Sequence, residues 1–227
     1  METTPGAKYL VHEVSSTLLV GLVLFGCAGQ VRWWPGWVEL ALTVSLSAAI
    51  GVIGVCTRPN LLVERVGSRR GDERWDVAVY AAIRMGLLAC LVVAALDRRL
   101  GWTGAFDSRI QIVGFAVHLL GNALFIWAVA SNRFFSDMVR IQSQDGHVVA
   151  TGGPYRWVRH PGYLGSIAYT MAVPMLLASW WAFLPATLCV VVFVIRTALE
   201  DRTLQKKLAG YPAFAGRVRY RLLPAIW

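Results

Sequence analysis

The stretch Val77–Leu96, VAVYAAIRMGLLACLVVAAL, decides the fold, because these 20 consecutive residues carry a single charge, on Arg84. A helix of this length spans about 30 Å, the thickness of the hydrocarbon core of a bilayer. The whole chain of 227 residues is 56% hydrophobic and 15% charged, with a mean hydropathy of +0.53. These proportions exclude a disordered chain and disfavour an ordinary soluble domain, so they indicate an integral membrane protein.

Apolar runs of similar length flank this stretch on both sides. A long polar stretch, Asn132–His160, separates the earlier runs from the last two. The sequence therefore predicts an all-α fold, a polytopic membrane helical bundle with five to six transmembrane helices. The other runs are Val14–Gln30, Trp37–Cys56, Ile110–Ser131, Pro161–Ala178 and Ala182–Leu199.

Basic residues are distributed unequally between the two ends of these helices. Of the 22 Lys and Arg, 17 fall in the N-terminal segment, the loop Thr57–Asp76, the stretch Asn132–His160 and the region from Arg196 onward. Only four fall in the connections on the other side. Because cytoplasmic loops of membrane proteins are enriched in Lys and Arg, both termini are predicted to be cytoplasmic. This topology accounts for the net charge of +9 without nucleic acid as a partner.

Labelling of introduced cysteines tests this topology. We expect cysteines that replace Ser108 and Ser143 to react with an impermeant reagent from opposite sides of the membrane, because the fourth run separates them. Reaction of both from the same side would contradict the predicted orientation.

Two polar motifs in the last hundred residues have the features expected of a site. The first, TGGPYRWVRHPGYLG over Thr151–Gly165, contains a Gly-Gly-Pro turn and then a proline in the first turn of a helix. The free N–H groups of such a turn can hold an anionic or polar group. In the second motif, VIRTALEDRTLQ over Val194–Gln205, Arg196 and Glu200 are four residues apart and share one helix face.

Together these motifs resemble the isoprenylcysteine carboxyl methyltransferase family, which consists of integral membrane enzymes that use S-adenosylmethionine. The shared pattern is Gly-Pro-Tyr, Arg-His-Pro-x-Tyr, an apolar hairpin and then Arg-x-x-x-Glu-Asp. The segments Asn132–Tyr155 and Gly210–Pro224 also resemble parts of that family. The resemblance implies a catalytic region over residues 132–227 with a cytoplasmic cofactor pocket, and a transmembrane scaffold over residues 1–131.

The resemblance also implies roles for individual residues. Arg196 matches the family's arginine near the acceptor and Glu200 matches a glutamate that contacts the cofactor, so both are candidate catalytic residues. Asp201 is a departure, since a second glutamate is common there. Arg84, a charge inside an apolar run, is a further candidate for substrate contact. The other matched positions, implied to bind S-adenosylmethionine, are Gln142, His147, Val148, Val149, Ala150, Tyr155, His160, Pro161, Gly162 and Tyr163.

The identity of the acceptor stays open at this level. An arginine suits a carboxylate, because a guanidinium holds a carboxylate in a planar fork. Transfer to a carboxylate needs no base, whereas transfer to an amine would need one, such as Glu200, Asp201 or His160. A small isoprenoid, another lipid and a prenylated substrate all fit a lipophilic acceptor. The alternatives are a phospholipid amine methyltransferase and an NADPH-dependent sterol or steroid reductase, which shares part of the first motif.

The composition also predicts the surroundings of the protein. Its arginine-rich sequence and the bacterial character of the stretch Asn132–Tyr155 indicate the inner membrane of a bacterium, with membrane lipids around the helices. All four cysteines lie in apolar runs and lack the spacing of a metal site, so no metal is expected.

Overall fold

The computed structural model describes residues 4–57, 61–62, 73–142 and 146–227. Within these ranges the chain has no strand, and five of its helices are long and apolar enough to cross a membrane. The protein is therefore an integral membrane protein with the predicted all-α fold. Its α-helices are α1 (Pro5–Ala28), α2 (Trp34–Thr57), α3 (Arg74–Leu100), α4 (Ser108–Ser131), α5 (Pro161–Leu176), α6 (Phe183–Lys207) and α7 (Tyr211–Arg217).

Successive long helices run in opposite directions, so their ends form two layers. The first turns of α1 pack against the second half of α2, where the Tyr9 hydroxyl donates to the Ser47 carbonyl at 2.7 Å. Helix α1 ends beside the end of α3, where Gly29 lies next to the Arg99 side chain. We call the layer that holds the ends of α2, α4 and α6 the polar end, and the other layer the opposite end.

Helices α5 and α6 form a hairpin that reaches the opposite end of the bundle. The Ser179 hydroxyl donates to the Asp97 carboxylate, and the Trp180 N–H donates to the Thr103 hydroxyl at 3.0 Å. The turn of the hairpin therefore packs against the α3–α4 connection. With 16 residues, α5 is not among the five helices long enough to cross a membrane, so a sixth crossing by this hairpin stays a prediction. Ser143, the second labelling position, lies outside the described residues.

Helices α4 and α5 approach each other backbone to backbone. A Cβ on Gly165 would lie 2.6 Å from the Gly121 carbonyl oxygen, and a Cβ on Gly121 would lie 2.8 Å from the Gly165 carbonyl oxygen. Near the opposite end, a Cβ on Gly114 would lie 2.6 Å from the Cβ of Met175. Small residues allow this close packing between membrane helices. The glycines thus fix α5, and the motif that precedes it, against α4.

A buried polar contact joins three helices inside the bundle. The Nδ1 atom of His118 on α4 lies 3.4 Å from the Oε2 atom of Glu39 on α2. The same imidazole stacks on the ring of Tyr169 on α5, with 5.7 Å between the ring centroids. Polar contacts of this kind hold membrane helices together, because the alternative is a polar group facing hydrocarbon.

Candidate active site

An open cleft of about 780 Å³, a volume that includes the solvent at its mouth, lies at the polar end, between the segment that follows α4, the start of α5, the end of α6 and α7. Both predicted motifs contribute to it, although they are separated in sequence by the whole hairpin. The predicted site residues that line the cleft are His147, Val149, Ala150, Tyr155, His160, Gly162, Tyr163 and Glu200.

The turn at Gly153 brings the first motif to the cleft. Gly153 has a φ of 55°, and a Cβ at this position would lie 2.1 Å from the Ser131 hydroxyl oxygen. Only glycine fits both the backbone conformation and the space. The 3₁₀ turn Gly153–Arg156 then buries Tyr155 at the cleft, and α5 begins with Pro161, which lacks the N–H that would be unpaired there.

Glu200 presents a carboxylate to the cleft from the last turns of α6. Its Oε2 atom accepts a hydrogen bond from the Tyr163 hydroxyl, and its Oε1 atom lies 4.0 Å from the Nδ1 atom of His160. The rings of His160 and Tyr163 stack with 5.8 Å between their centroids. Because 22% of the Glu200 side chain remains exposed, this carboxylate is held in place and can still accept from a bound cation or hydroxyl.

Asp201, the next residue, is fully buried and connects α6 to the first motif and to α7. The Tyr211 hydroxyl donates to its Oδ1 atom at 2.9 Å. Burial, and then the nearby Asp201 carboxylate, raise the pKa of Tyr211, so the phenol keeps the proton that it donates. The other groups around the carboxylate are Arg221 Nε at 2.9 Å, Gln205 Nε2 at 2.8 Å, Arg159 Nε at 3.1 Å and His160 Nε2 at 3.4 Å.

The residues after α7, which we call the tail (Val218–Trp227), hold the Arg-His-Pro segment by its backbone. The Arg159 N–H donates to the Tyr220 carbonyl and the His160 N–H donates to the Arg221 carbonyl, both at 2.9 Å. Residues 218–224 of the tail were part of the family resemblance, yet their contact with this segment could not be predicted from the sequence. It fixes the backbone from which His160 reaches the cleft.

Arg196 does not line the cleft, although it shares a helix face with Glu200 as predicted. It is buried, and its Nε and Nη2 atoms each donate to one oxygen of the Asp76 carboxylate at 2.7 Å. Asp76, at the start of α3, was missed by the sequence analysis, because an acid at the edge of an apolar run normally faces the membrane surface. The other candidate for substrate contact, Arg84, has an exposed side chain on α3 and is not part of the cleft lining.

Three predicted cofactor residues also lie outside the lining of the cleft. One side of the cleft, which we call the wall, is formed by residues 134–142 and 146–150. The Gln142 side-chain amide donates to the Phe134 carbonyl at 3.1 Å, so it stabilises the wall without lining the cleft. Val148 is 64% exposed, and Pro161 is buried in the first turn of α5. Their contact with a cofactor therefore stays a prediction.

Twelve lining residues were not among the predicted contacts. Most of them belong to the segments that resemble the family. In those segments, apolar side chains within a polar stretch were the sequence feature that could have indicated a lining residue. The twelve residues are Asn132, Phe134, Phe135, Ser136, Met138, Val139, Arg140, Arg159, Leu204, Leu208, Tyr211 and Phe214.

His147 forms part of a folded wall of the cleft. Its ring stacks on Phe134 with 4.6 Å between the centroids, and its Nδ1 atom accepts from the Gln142 N–H at 3.3 Å. Burial lowers the pKa of His147 below the ordinary value of 6.5. The neutral ring is therefore the form that the folded wall holds, because a protonated Nδ1 could not accept this hydrogen bond.

We expect this wall to lose stability as the pH falls below about 6.5. Below that pH an unfolded wall takes up a proton on His147 more readily than the folded one, so the stabilisation is complete above pH 6.5 and declines beneath it. The change is measured by the protection of the amides of residues 134–142 against hydrogen exchange. Protection at about pH 7.5 and at about pH 5.5 is compared, each relative to an unfolded chain at the same pH. His147→Asn should flatten this pH dependence, whereas His12→Asn on α1 should retain it. An unchanged profile in His147→Asn would contradict the assignment.

Comparison with known proteins agrees with the resemblance seen in the motifs. Residues 112–206 match the sequence model of the isoprenylcysteine carboxyl methyltransferase (ICMT) family. This range contains α4 from its second turn, the cleft wall, α5 and nearly all of α6. It holds Tyr163 and Glu200 and ends before α7 and the tail.

Individual relatives resemble parts of the chain. It is 27% identical over 125 residues to the protein-S-isoprenylcysteine O-methyltransferase of Saccharomyces cerevisiae, covering 54% of this chain and 50% of the yeast protein. It is 31% identical over 71 residues to a probable protein-S-isoprenylcysteine O-methyltransferase of Oryza sativa subsp. indica, covering 31% of this chain and 37% of the rice protein. The chain thus spans half or less of the length of these relatives.

The fold is shared with a solved structure. The eukaryotic intramembrane Ras methyltransferase ICMT superposes with a TM-score of 0.57 at 16% identity, over 91% of this chain and 73% of that one. At this identity the likeness establishes the helical membrane architecture and says nothing about the acceptor.

Proposed function

We propose, because residues 112–206 match the sequence model of the isoprenylcysteine carboxyl methyltransferase family, that this chain is a membrane methyltransferase acting on the carboxylate of a lipophilic acceptor. The observation that carries the proposal is the meeting of the two family motifs in one cleft, where the Tyr163 hydroxyl holds Glu200. An S-prenylcysteine is the acceptor class that the names of the yeast and rice relatives support.

The residues of the cleft fit S-adenosylmethionine as the methyl donor. Glu200 suits the ammonium or the ribose hydroxyls, because its carboxylate is anchored and still partly exposed. The rings of Phe134, His147 and Tyr155 offer apolar surface for an adenine. His160 and the first turn of α5 suit a carboxylate or the adenine edges. When bound, this cofactor supplies an electrophilic methyl group on a sulfonium.

The residues of the chain contribute to the reaction mainly by positioning the methyl donor and the acceptor. A carboxylate acceptor is already nucleophilic at neutral pH, so no residue has to remove a proton from it. Tyr163 keeps Glu200 oriented, and Asp201 keeps Tyr211 and the His160 segment in place. Holding donor and acceptor in line and in contact supplies a large part of the rate enhancement, up to about 10⁵–10⁸ M in effective molarity.

We further propose that the polar end faces the cytoplasm, because 17 of the 22 basic residues fall in the sequence segments that are predicted to lie on that side of the membrane. Residues 132–227 would then form the catalytic region on a scaffold of residues 1–131. The arginine-rich composition supports the inner membrane of a bacterium. In this arrangement the cofactor enters from the aqueous side and a lipophilic acceptor enters from the bilayer.

A methyl-transfer assay tests the proposed function. The purified protein in lipid nanodiscs is given S-adenosylmethionine with a labelled methyl group and an S-prenylcysteine with a free carboxylate. We expect label in a product that mild base hydrolyses to volatile methanol, as a methyl ester does. The carboxamide of the same acceptor is the control and should take up no label. Base-stable label in a phospholipid amine, or oxidation of NADPH without methyl transfer, would contradict the proposal.

Glu200→Gln should weaken binding of S-adenosylmethionine. The amide keeps the shape of the side chain and loses its charge, and a charge-assisted hydrogen bond contributes about 1.5–3 kcal/mol, so affinity should fall by about tenfold or more. Isothermal titration measures this loss. Glu13→Gln on α1, which does not line the cleft, is the matched control. Unchanged affinity in Glu200→Gln would remove Glu200 from the cofactor site.

A further inference from the structure

A buried ion pair links the scaffold to the wall of the cleft. Asp76 is fully buried at the start of α3, and both its oxygens accept from Arg196 on α6. The Oδ2 atom also accepts from the backbone N–H of Val139 at 2.7 Å. The Arg196 Nη2 atom donates in addition to the Asp137 carbonyl. The pair therefore holds the backbone of residues 137–139 by hydrogen bonds, and Val139 lines the cleft.

The same arginine lies within a stack of rings that leads to the cleft. Its guanidinium lies 5.4 Å from the ring centroid of Tyr80 and 5.3 Å from that of Tyr163. Tyr163 in turn stacks on His160 and donates to Glu200. The position of the guanidinium thus sets the position of the aromatic ring that orients Glu200.

Asp76 occupies the Nε–Nη2 edge of the guanidinium, so this edge is unavailable for a second carboxylate. In the sequence-based hypothesis Arg196 held the acceptor carboxylate in its planar fork. Here the planar fork is formed with Asp76, and the pair is electrically neutral. Buried pairs of this kind are very sensitive to loss of one partner, because the other charge is left without compensation.

We infer that Asp76 is a positioning residue for the proposed methyl transfer, acting through Arg196 and the Val139 backbone to place the wall of the cofactor cleft and Tyr163. This inference rests on the proposed function for its kinetic consequences. It assigns a role to a residue of the scaffold, in a region where neither the motifs nor the family match indicated one.

The test compares two aspartates of the same helix. Asp76→Asn removes the charge that holds Arg196. Asp97→Asn, the matched control, changes an equally buried aspartate at the opposite end of α3. We expect Asp76→Asn to raise KM for S-adenosylmethionine and to lower kcat, with kcat/KM falling by about 100-fold, the effect of a misplacement of about 1 Å. Asp97→Asn should lower the yield of folded protein and leave both constants of the folded fraction unchanged.

A second variant keeps the proposal testable if Asp76→Asn does not fold. Asp76→Glu retains the charge opposite Arg196, but its extra methylene moves the carboxylate relative to Val139. We expect thermal stability close to that of the unchanged protein, because the charge opposite Arg196 is kept. We expect a KM for the cofactor raised by about tenfold, because the position of the carboxylate is changed. A wild-type KM in this variant would show that the pair only stabilises the fold and would overturn the inference.

Hydrogen exchange gives a readout that does not depend on turnover. The Val139 amide should be protected in the unchanged protein and in Asp97→Asn, and should exchange at least about tenfold faster in Asp76→Asn, because its acceptor charge is lost. Equal protection in all three proteins would overturn the inference. Absence of methyl transfer in the unchanged protein would contradict the proposed function alone, since the exchange measurement would still decide whether Asp76 places the wall.

Discussion

Asp201→Asn should lower the free energy of unfolding by about 3–5 kcal/mol and abolish cofactor binding, because it removes one partner of a buried charge network. The carboxylate is fully buried and is approached by two guanidinium groups, of Arg159 and Arg221. An amide of the same size would leave both cations without compensation and would turn an N–H₂ group toward some of the present donors. Thermal unfolding in detergent and titration with S-adenosylmethionine measure the two losses.

Arg221→Gln is the graded control for this prediction. Its side chain is 28% exposed, so water can replace part of what the substitution removes. The loss of stability should be well below that of Asp201→Asn, at about 1 kcal/mol, as for a partly exposed ion pair. If the two variants were equally stable, Asp201 would not be the centre of the network.

Gly165→Leu should prevent α5 from packing on α4 and reduce the yield of folded protein sharply. The Cβ alone would lie 2.6 Å from the Gly121 carbonyl oxygen and 2.9 Å from the Phe125 backbone nitrogen, and backbone atoms cannot rotate away. Overpacking typically lowers the free energy of unfolding by about 1–3 kcal/mol. Because the clash here is with backbone atoms, we expect a loss at or above the upper limit. Because α5 carries Tyr163, cofactor binding should be lost together with the packing.

Gly26→Leu makes the same change where no atom lies within 4 Å of the added Cβ. Gly26 is exposed on α1, so a leucine at this position faces lipid and should leave the melting temperature nearly unchanged. Size-exclusion chromatography after a series of heating steps compares the two variants. A Gly165→Leu protein as stable as Gly26→Leu would show that α4 and α5 are not in contact at this crossing.

The helices could be predicted from the sequence, because each depends on its own run of residues. The run Val77–Leu96 became α3, Arg74–Leu100, and the longer helix results from polar residues that continue it beyond the apolar part. Its end at Gly101 follows from local chemistry, since that residue has a φ of 70°. The bundle with five membrane-spanning candidates is likewise a consequence of length and composition.

The contacts that build the cleft could be predicted only in part. Arg196 and Glu200 were placed on one face by their spacing, and Glu200 does line the cleft. The Asp76–Arg196 pair joins residues 120 positions apart, and nothing in either local sequence marks the partner. For the same reason the sequence shows Asp201 only as a variant acid beside Glu200, although its partners include residues of the first motif, of α7 and of the tail.

The tail contacts have a consequence for the order in which the protein assembles. Each membrane helix can form as its own segment enters the bilayer, since the hydrogen bonds of a helix are local. The cleft instead requires His160, Asp201 and Tyr211 to meet across 41 and 51 residues of chain, and these contacts exist only after α5 and α6 have paired. Non-local contacts of this kind form late in folding and open early on heating. Activity should therefore disappear at a lower temperature than helix content, with an inactive but fully inserted bundle in between.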